Sequence, residues 1–185
     1  MNRSHSKTRF GIAHGRFQPF HKEHLDYVIT VAGLCTHLTV AITNPFSTDV
    51  ALDPESPHRH EPEANPFTFF ERYQMVRETL LLSGIDSHRL SIVPLNLRRP
   101  DNWIDTLPPA SESAFYIRFF SNWERKKAEL FREKGYEVFA IDEGKTKTVT
   151  ATEVRRRMRC GGGWRELTPE PCHAFIEQRI ASDVV

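Results

Sequence analysis

A three-layer α/β sandwich, with helices on both faces of a parallel sheet of five or six strands, is the fold class this 185-residue sequence predicts. Three observations carry that expectation. Short runs rich in β-branched residues alternate with longer segments of helical hydrophobic period, the pattern of repeated βαβ units. The first of these runs ends at a glycine turn that leads straight into a helix. The composition, 39% hydrophobic and 26% charged, suits one globular domain with a proper core, so residues 1–185 are read as a single domain.

The elements follow in order. "TRFGIAHGRF" (Thr8 to Phe17) starts as a short apolar strand and ends in its turn. From His21 to Cys35, apolar residues recur at Leu25, Val28, Ile29 and Ala32, which predicts a helix. "HLTVAIT" (His37 to Thr43) is a second buried strand. Residues 44–66 are polar and rich in proline, a long loop of the kind that serves function. Helical spacing resumes from Phe67 to Ser83 through Phe70, Tyr73, Val76, Leu80 and Leu81, with Gly84 placed as a C-cap. "RLSIVPLN" (Arg89 to Asn96) and "SAFYIRF" (Ser113 to Phe119) are strands. An amphipathic helix from Asn122 to Lys134 stops at Gly135, and Tyr136 to Ile141 is a fifth strand. A helix near Thr152, a turn at Trp164 to Leu167 and a helix from Pro171 to Ile180 close the chain. The alternation makes the sandwich Rossmann-like.

Composition narrows the class of function. The net charge of +1 offers no global field to recruit nucleic acid or a membrane. Cys35, Cys160 and Cys172 are odd in number and lack C-x-x-C spacing, which speaks against a disulfide framework or a structural zinc site and for a reducing compartment. "MNRSHSKTRF" has no apolar signal core, so a cytoplasmic protein is expected, with residues 1–8 flexible.

In a doubly wound sheet the ligand sits at the carboxyl ends of the strands, beside the first βα turn. That turn reads "HGRFQPFHKEH" (His14 to His24) and contains neither G-x-G-x-x-G nor G-x-x-x-x-G-K-[ST]. Three readings of His21 and His24 stay open on the residues alone. They are ordinary surface and core residues, or zinc ligands lacking the further ligands zinc needs, or donors to a polyphosphate at a helix N-terminus. In the last case Arg16 adds a cation. "TATEVRRRM" (Thr150 to Met158) likewise reads as a capped basic surface helix, through the box Thr150-x-x-Glu153 or with Thr152 as the cap, or as a second anion site.

These stretches resemble the nucleotidyltransferase superfamily marked by H-x-G-H or T-x-G-H. More narrowly they resemble archaeal-type nicotinamide-nucleotide adenylyltransferases, whose first turn reads G-R-F-Q-P-F-H-x-G-H and whose second motif reads S/T-G-T-E-I-R-R-R-M. Glu23 and Ala151 stand where that family has glycine. "NPFTFFER" (Asn65 to Arg72), "FSNWERKKAELFREKGYEV" (Phe120 to Val138) and "GGGWRELTPEPCHAFI" (Gly161 to Ile176) are similar to further family segments in the same order, so the likeness runs from Arg9 to Ile180.

The resemblance implies attack of an acceptor's phosphate oxygen on the α-phosphorus of a nucleoside triphosphate, with release of pyrophosphate. It assigns catalysis to His21, His24, Arg16 and Arg155. It assigns nucleotide binding to Gly15, Phe17, Thr150, Thr152, Arg155 and Arg156, with Arg157 a further candidate. Trp103, Asn102 and Arg72 fall to the acceptor. Mg²⁺ is expected to come with the triphosphate, no paired carboxylates being placed to cage it as a protein-held metal. The partners implied are the triphosphate and a small phosphorylated acceptor, without nucleic acid or membrane; self-association into a homo-oligomer is compatible with the composition. ATP and nicotinamide mononucleotide, giving NAD, are the first choice of substrates. The alternatives are a cytidylyltransferase using CTP on a small phosphate or phosphonate, and a nucleotide-binding regulatory module without turnover.

Overall fold

The computed structural model describes residues 8–46, 48 and 61–182. Residues 1–7 of the expected flexible start and most of the loop 44–66 lie outside the described residues, while Thr8 opens the first strand.

Five parallel strands form one sheet in the order β3-β2-β1-β4-β5. They are β1 (Thr8–Gly15), β2 (Cys35–Thr43), β3 (Leu90–Leu95), β4 (Ser113–Ile117) and β5 (Glu137–Ala140). Burial follows position. β4 is buried throughout and the second half of β2 is buried continuously, whereas the edge strand β5 is largely exposed. Pro94 lies in β3, an edge strand paired only with β2, where a missing N–H on the outer side does no harm.

The helices are α1 (Lys22–Leu34), α2 (Phe69–Leu82), α3 (Asn122–Glu133), α4 (Ala151–Arg159) and α5 (His173–Ser182). Two apolar clusters cover the two faces of the sheet. One gathers Val28, Val76, Val154 and Ile176 from α1, α2, α4 and α5 against Ala13 and Val40. The other sets Ala128 and Phe131 of α3, with Trp103, against Ile12, Phe115 and Leu95. At the base of the first cluster, Gly11 makes room for Cys35 at the start of β2 and for Val31 of α1, since a Cβ there would lie 2.7 Å from Cys35 Cβ and 3.2 Å from Val31 Cγ1.

The predicted elements are found, with shifts in the faces they bury. On α1, Tyr27 and Val31 are buried beside Val28 and Ala32, and Ile29 turns outward. On α2 the inner face is Arg72, Met75, Val76, Thr79 and Leu80, while Phe70 is exposed. Apolar residues surround α2, so spacing alone did not single out the stripe that meets the sheet. No helix among the described residues is long and apolar enough to cross a membrane.

Arg72 explains why α2 buries a charge. It is 2% exposed, and its guanidinium donates to the carbonyls of Arg16 (2.8 Å), Thr43 (2.9 Å) and Asn44 (2.8 Å). Burial lowers its pKa to about 10, still charged at neutral pH. It therefore ties the turns after β1 and β2 to the start of α2. Arg72→Met leaves those carbonyls without a donor; an expected loss of about 3 kcal/mol is a fall in melting temperature of about 6–12 °C. A thermal melt checks it.

Candidate active site

The chain runs outward from β1 through β2 to β3 and then returns to β4 on the other side of β1. That reversal opens a crevice at the carboxyl ends of β1 and β4. A cleft of about 490 Å³ lies there, a size that suits a small-molecule ligand. Its lining draws on the first turn (Gly15, Phe17, His21, His24), the start of α4 (Thr150, Thr152, Arg155) and the end of β3 (Arg98). Segments more than a hundred residues apart in sequence thus face one space.

The first turn is shaped by aromatic packing. Phe17 is fully buried with φ 54°, a left-handed conformation unusual for a bulky residue. Its ring meets Phe20 (5.3 Å) and His24 (5.0 Å) nearly edge-on and so props the histidine from beneath. A side chain at Gly15 would strike that ring, at 2.6 Å. Gly15 and Phe17 therefore shape the turn through packing as well as lining the cleft.

His21 is the N-cap of α1. Its Nδ1 accepts from the His24 backbone N–H at 3.4 Å, a long contact, which places the proton on Nε2. The two imidazoles stack, with centroids 3.5 Å apart. His24 Nδ1 is buried without a partner among the described residues. Burial, then Lys147 and Arg155, lowers the His21 pKa to about 3. Burial first, then His21 and the cations Lys147, Arg118 and Arg16, holds His24 well below its ordinary value. Both rings are neutral at pH 7. The positive charge of the cleft belongs to its arginines and lysines, and His21 offers a neutral N–H donor at the α1 N-terminus.

This has a consequence for stability. Unfolded histidine titrates near 6.5, while folded His21 does so near 3. The unfolded chain binds more protons between those values, so the stabilisation is present above about pH 6.5 and lost as pH falls toward 3. The urea midpoint is expected to drop between pH 7 and pH 5, and a His21→Asn, His24→Asn variant is expected to show a shallower drop.

On α4 the N-cap is Thr150, whose hydroxyl accepts from Glu153 N at 3.1 Å, so the helix starts one residue before Thr152. The Glu153 side chain pairs with Arg156 (2.8 Å) and Arg157 (2.8 Å), which leaves the expected capping box half formed. Arg155 is 7% exposed; its guanidinium donates to Gln18 O at 2.6 Å and to Thr152 Oγ1 at 3.3 Å, joining the second motif to the first. Arg16 donates to Asn65 Oδ1 at 3.2 Å.

Four expected ligand residues lie elsewhere. Arg156 is held by Glu153 and does not line the cleft. Trp103 is 2% exposed, packs against Phe131 and donates to Asn96 O at 2.7 Å. Asn102, on the same 3-10 turn (Pro100–Asp105), also stays out of the lining. Arg72 serves the backbone, as described. Conversely, Lys147, Arg118, Lys127 and Trp123 line the cleft without having been singled out. Lys147 sits over the Phe120 ring at 4.4 Å. Lys127 donates to His14 Nε2 at 3.2 Å, and burial followed by that lysine lowers the His14 pKa well below its usual value. The polar loop gave Lys147 no periodicity to mark it, and Lys127 belongs to a run of charges on α3.

Among the described residues, no group of three or more His, Cys, Asp or Glu side chains is gathered that could hold a metal.

No protein-family model matches the chain. A phosphonoformate cytidylyltransferase of Streptomyces viridochromogenes is 34% identical over 168 residues, covering 91% of this chain and 90% of the relative. A nicotinamide-nucleotide adenylyltransferase of Pyrococcus horikoshii is 31% identical over 172 residues, covering 91% of this chain and 82% of the relative. Among solved structures, a bifunctional NMN adenylyltransferase/ADP ribose pyrophosphatase from Francisella tularensis shares the fold, with a TM-score of 0.72 at 20% identity. The match covers 95% of this chain and 52% of that one, so the chain spans about half of the bifunctional protein. A second structure from that organism, complexed with AMP and a manganese ion, matches with a TM-score of 0.67 at 21% identity.

Proposed function

We propose, from the premise that the chain belongs to the cytidylyltransferase-like nucleotidyltransferase superfamily, that its cleft transfers a nucleoside monophosphate from a triphosphate to a small phosphate- or phosphonate-bearing acceptor. One observation carries this: the paired imidazoles of α1 and the threonine-arginine start of α4 share a single cleft lined by cations.

In the transfer, an acceptor oxygen forms a bond to the α-phosphorus and the bond from that phosphorus to the bridging oxygen of the β-phosphate breaks. Pyrophosphate leaves with the electron pair. His21 and His24 donate from Nε2 to phosphate oxygens, where neutral donors in a dry site are most effective. Arg155, Arg16 and Lys147 offset the charge that grows on the leaving group. Thr150 and Thr152, with the N–H groups opening α4, hold the far phosphates. The triphosphate is taken up with Mg²⁺ as a substrate complex, coordinated mainly by its own phosphates and water.

For the acceptor, the cations Arg98 and Lys127 in the cleft lining support a small, multiply charged phosphonate or phosphate, paired with CTP as donor. The tryptophan and asparagine that the resemblance offers a nicotinamide ring, Trp103 and Asn102, are not in the lining. Likeness to the phosphonoformate cytidylyltransferase over nine-tenths of both chains supports the same choice. Adenylyl transfer from ATP to nicotinamide mononucleotide is the second reading, favoured by the relative from Pyrococcus. A matrix of CTP and ATP against phosphonoformate and nicotinamide mononucleotide, read by pyrophosphate release and product mass, separates the two. CMP-phosphonoformate as the main product is the expected result; NAD as the main product selects the second reading, and no pyrophosphate from any pair refutes both.

A further inference from the structure

Glu23 sits between His21 and His24 on the first turn of α1, where a carboxylate should repel the phosphates the neighbouring groups attract. The structure turns it onto the other motif. Its Oε2 accepts from the backbone N–H of Thr148 (2.9 Å) and Val149 (2.8 Å) and from the Thr148 hydroxyl (3.3 Å). These are the two residues directly before Thr150, the cap of α4.

The rest of that turn is anchored too. Arg118 donates to Glu23 O at 3.1 Å and to Asp26 Oδ2 at 2.7 Å, and Lys145, from the loop leading to α4, also pairs with Asp26. Arg118 bonds Asp142 at the start of that loop. The loop is thus fastened to α1 near both of its ends. Between the ties at residues 142–145 and the cap, residues 146–148 are exposed. Val149 packs against the first apolar cluster and Lys147 lies over Phe120, while the Glu23 carboxylate is what holds the backbone N–H groups of Thr148 and Val149, immediately ahead of Thr150.

We infer that Glu23 is a positioning residue, a latch that holds the cap of α4 in register with His21 and His24 so that both phosphate-binding segments engage one triphosphate. The inference rests on the function proposed above. Its carboxylate also takes up two N–H donors at the cleft edge, which solvate its charge on the side of the loop. Misplacement of a phosphate-holding group by about 1 Å can cost a hundredfold in rate, which sets the scale of the effect. A glycine or alanine at this position has no side chain to span the gap, whereas glutamine keeps an acceptor oxygen.

The test compares Glu23→Ala and Glu23→Gln with the wild type. Amide exchange is read at Thr148 and Val149, with Val28 of α1 as the internal control, and turnover is read with the triphosphate and acceptor identified by the activity matrix. In Glu23→Ala the two amides are expected to exchange at least about tenfold faster with Val28 unchanged. Its kcat should fall about tenfold to a hundredfold, with the melting temperature nearly unchanged. Glu23→Gln should recover kcat to within about fivefold. Unchanged exchange in Glu23→Ala overturns the latch. Faster exchange with unaltered kcat overturns its catalytic role, as does a fall in kcat that tracks a fall in melting temperature and is not rescued by glutamine. A wild type that consumes no triphosphate counts against the proposed function instead, and the exchange readout still decides whether the latch exists.

Discussion

His24→Ala is expected to lower kcat by about a hundredfold to a thousandfold, the range for losing one preorganised donor to a developing anion. The ring is held for that task. Phe17 meets it edge-on at 5.0 Å, His21 stacks on it at 3.5 Å, and its Nδ1 is buried. Removing the ring also removes some packing, so a fall of a few degrees in melting temperature should accompany the loss. His24→Leu, which keeps much of the volume but offers no donor, separates the two effects: its melting temperature should lie nearer the wild type while its kcat stays low. Pyrophosphate release under saturating substrates measures both variants. Turnover near the wild-type value in His24→Ala would refute the catalytic assignment.

Arg155→Ala should lower kcat/KM for the triphosphate by a similar factor, about a hundredfold to a thousandfold. The guanidinium is buried, faces the cleft and bridges Gln18 O and Thr152 Oγ1, so its loss removes a cation and unties the two motifs together. Arg155→Lys should recover little, because an ammonium on a flexible stem cannot reproduce a planar fork that reaches both partners and a phosphate. The acceptor KM should change far less than the triphosphate KM. Equal rises in both would mean that Arg155 shapes the whole cleft and has no particular bond to the triphosphate.

Much of this architecture is legible in the sequence because it depends on local signals. β-branched runs mark the central strands, and glycine with a following apolar period marks the turn into α1. Thr150 and Glu153 mark the start of α4. The two stretches that carry the resemblance are legible for the same reason, since each is one short continuous run of chain. What stayed hidden depends on contacts between distant segments. Glu23 meets Thr148 and Val149 across 125 and 126 residues, and no local pattern reports such a pair. Trp103 and Trp123 illustrate the same limit. Both follow a strand, yet the 3-10 turn at Pro100–Asp105 folds the first into the core, while α3 presents the second to the cleft. Arg72 is given to the acceptor by the resemblance, and only the convergence of three distant carbonyls explains a buried guanidinium that serves the backbone. Arg156 sits in the same basic run as Arg155, but the helical period turns it toward Glu153 on the outer face.

The most direct test of the central claim follows amide exchange across the chain while a non-hydrolysable triphosphate analogue, in its CTP and ATP forms, is titrated in with Mg²⁺. Residues 15–24 and 148–156 should gain protection together, with one dissociation constant, for whichever analogue binds. Protection of one segment without the other, or of the two at separate concentrations, would contradict the joining of both motifs on a single triphosphate.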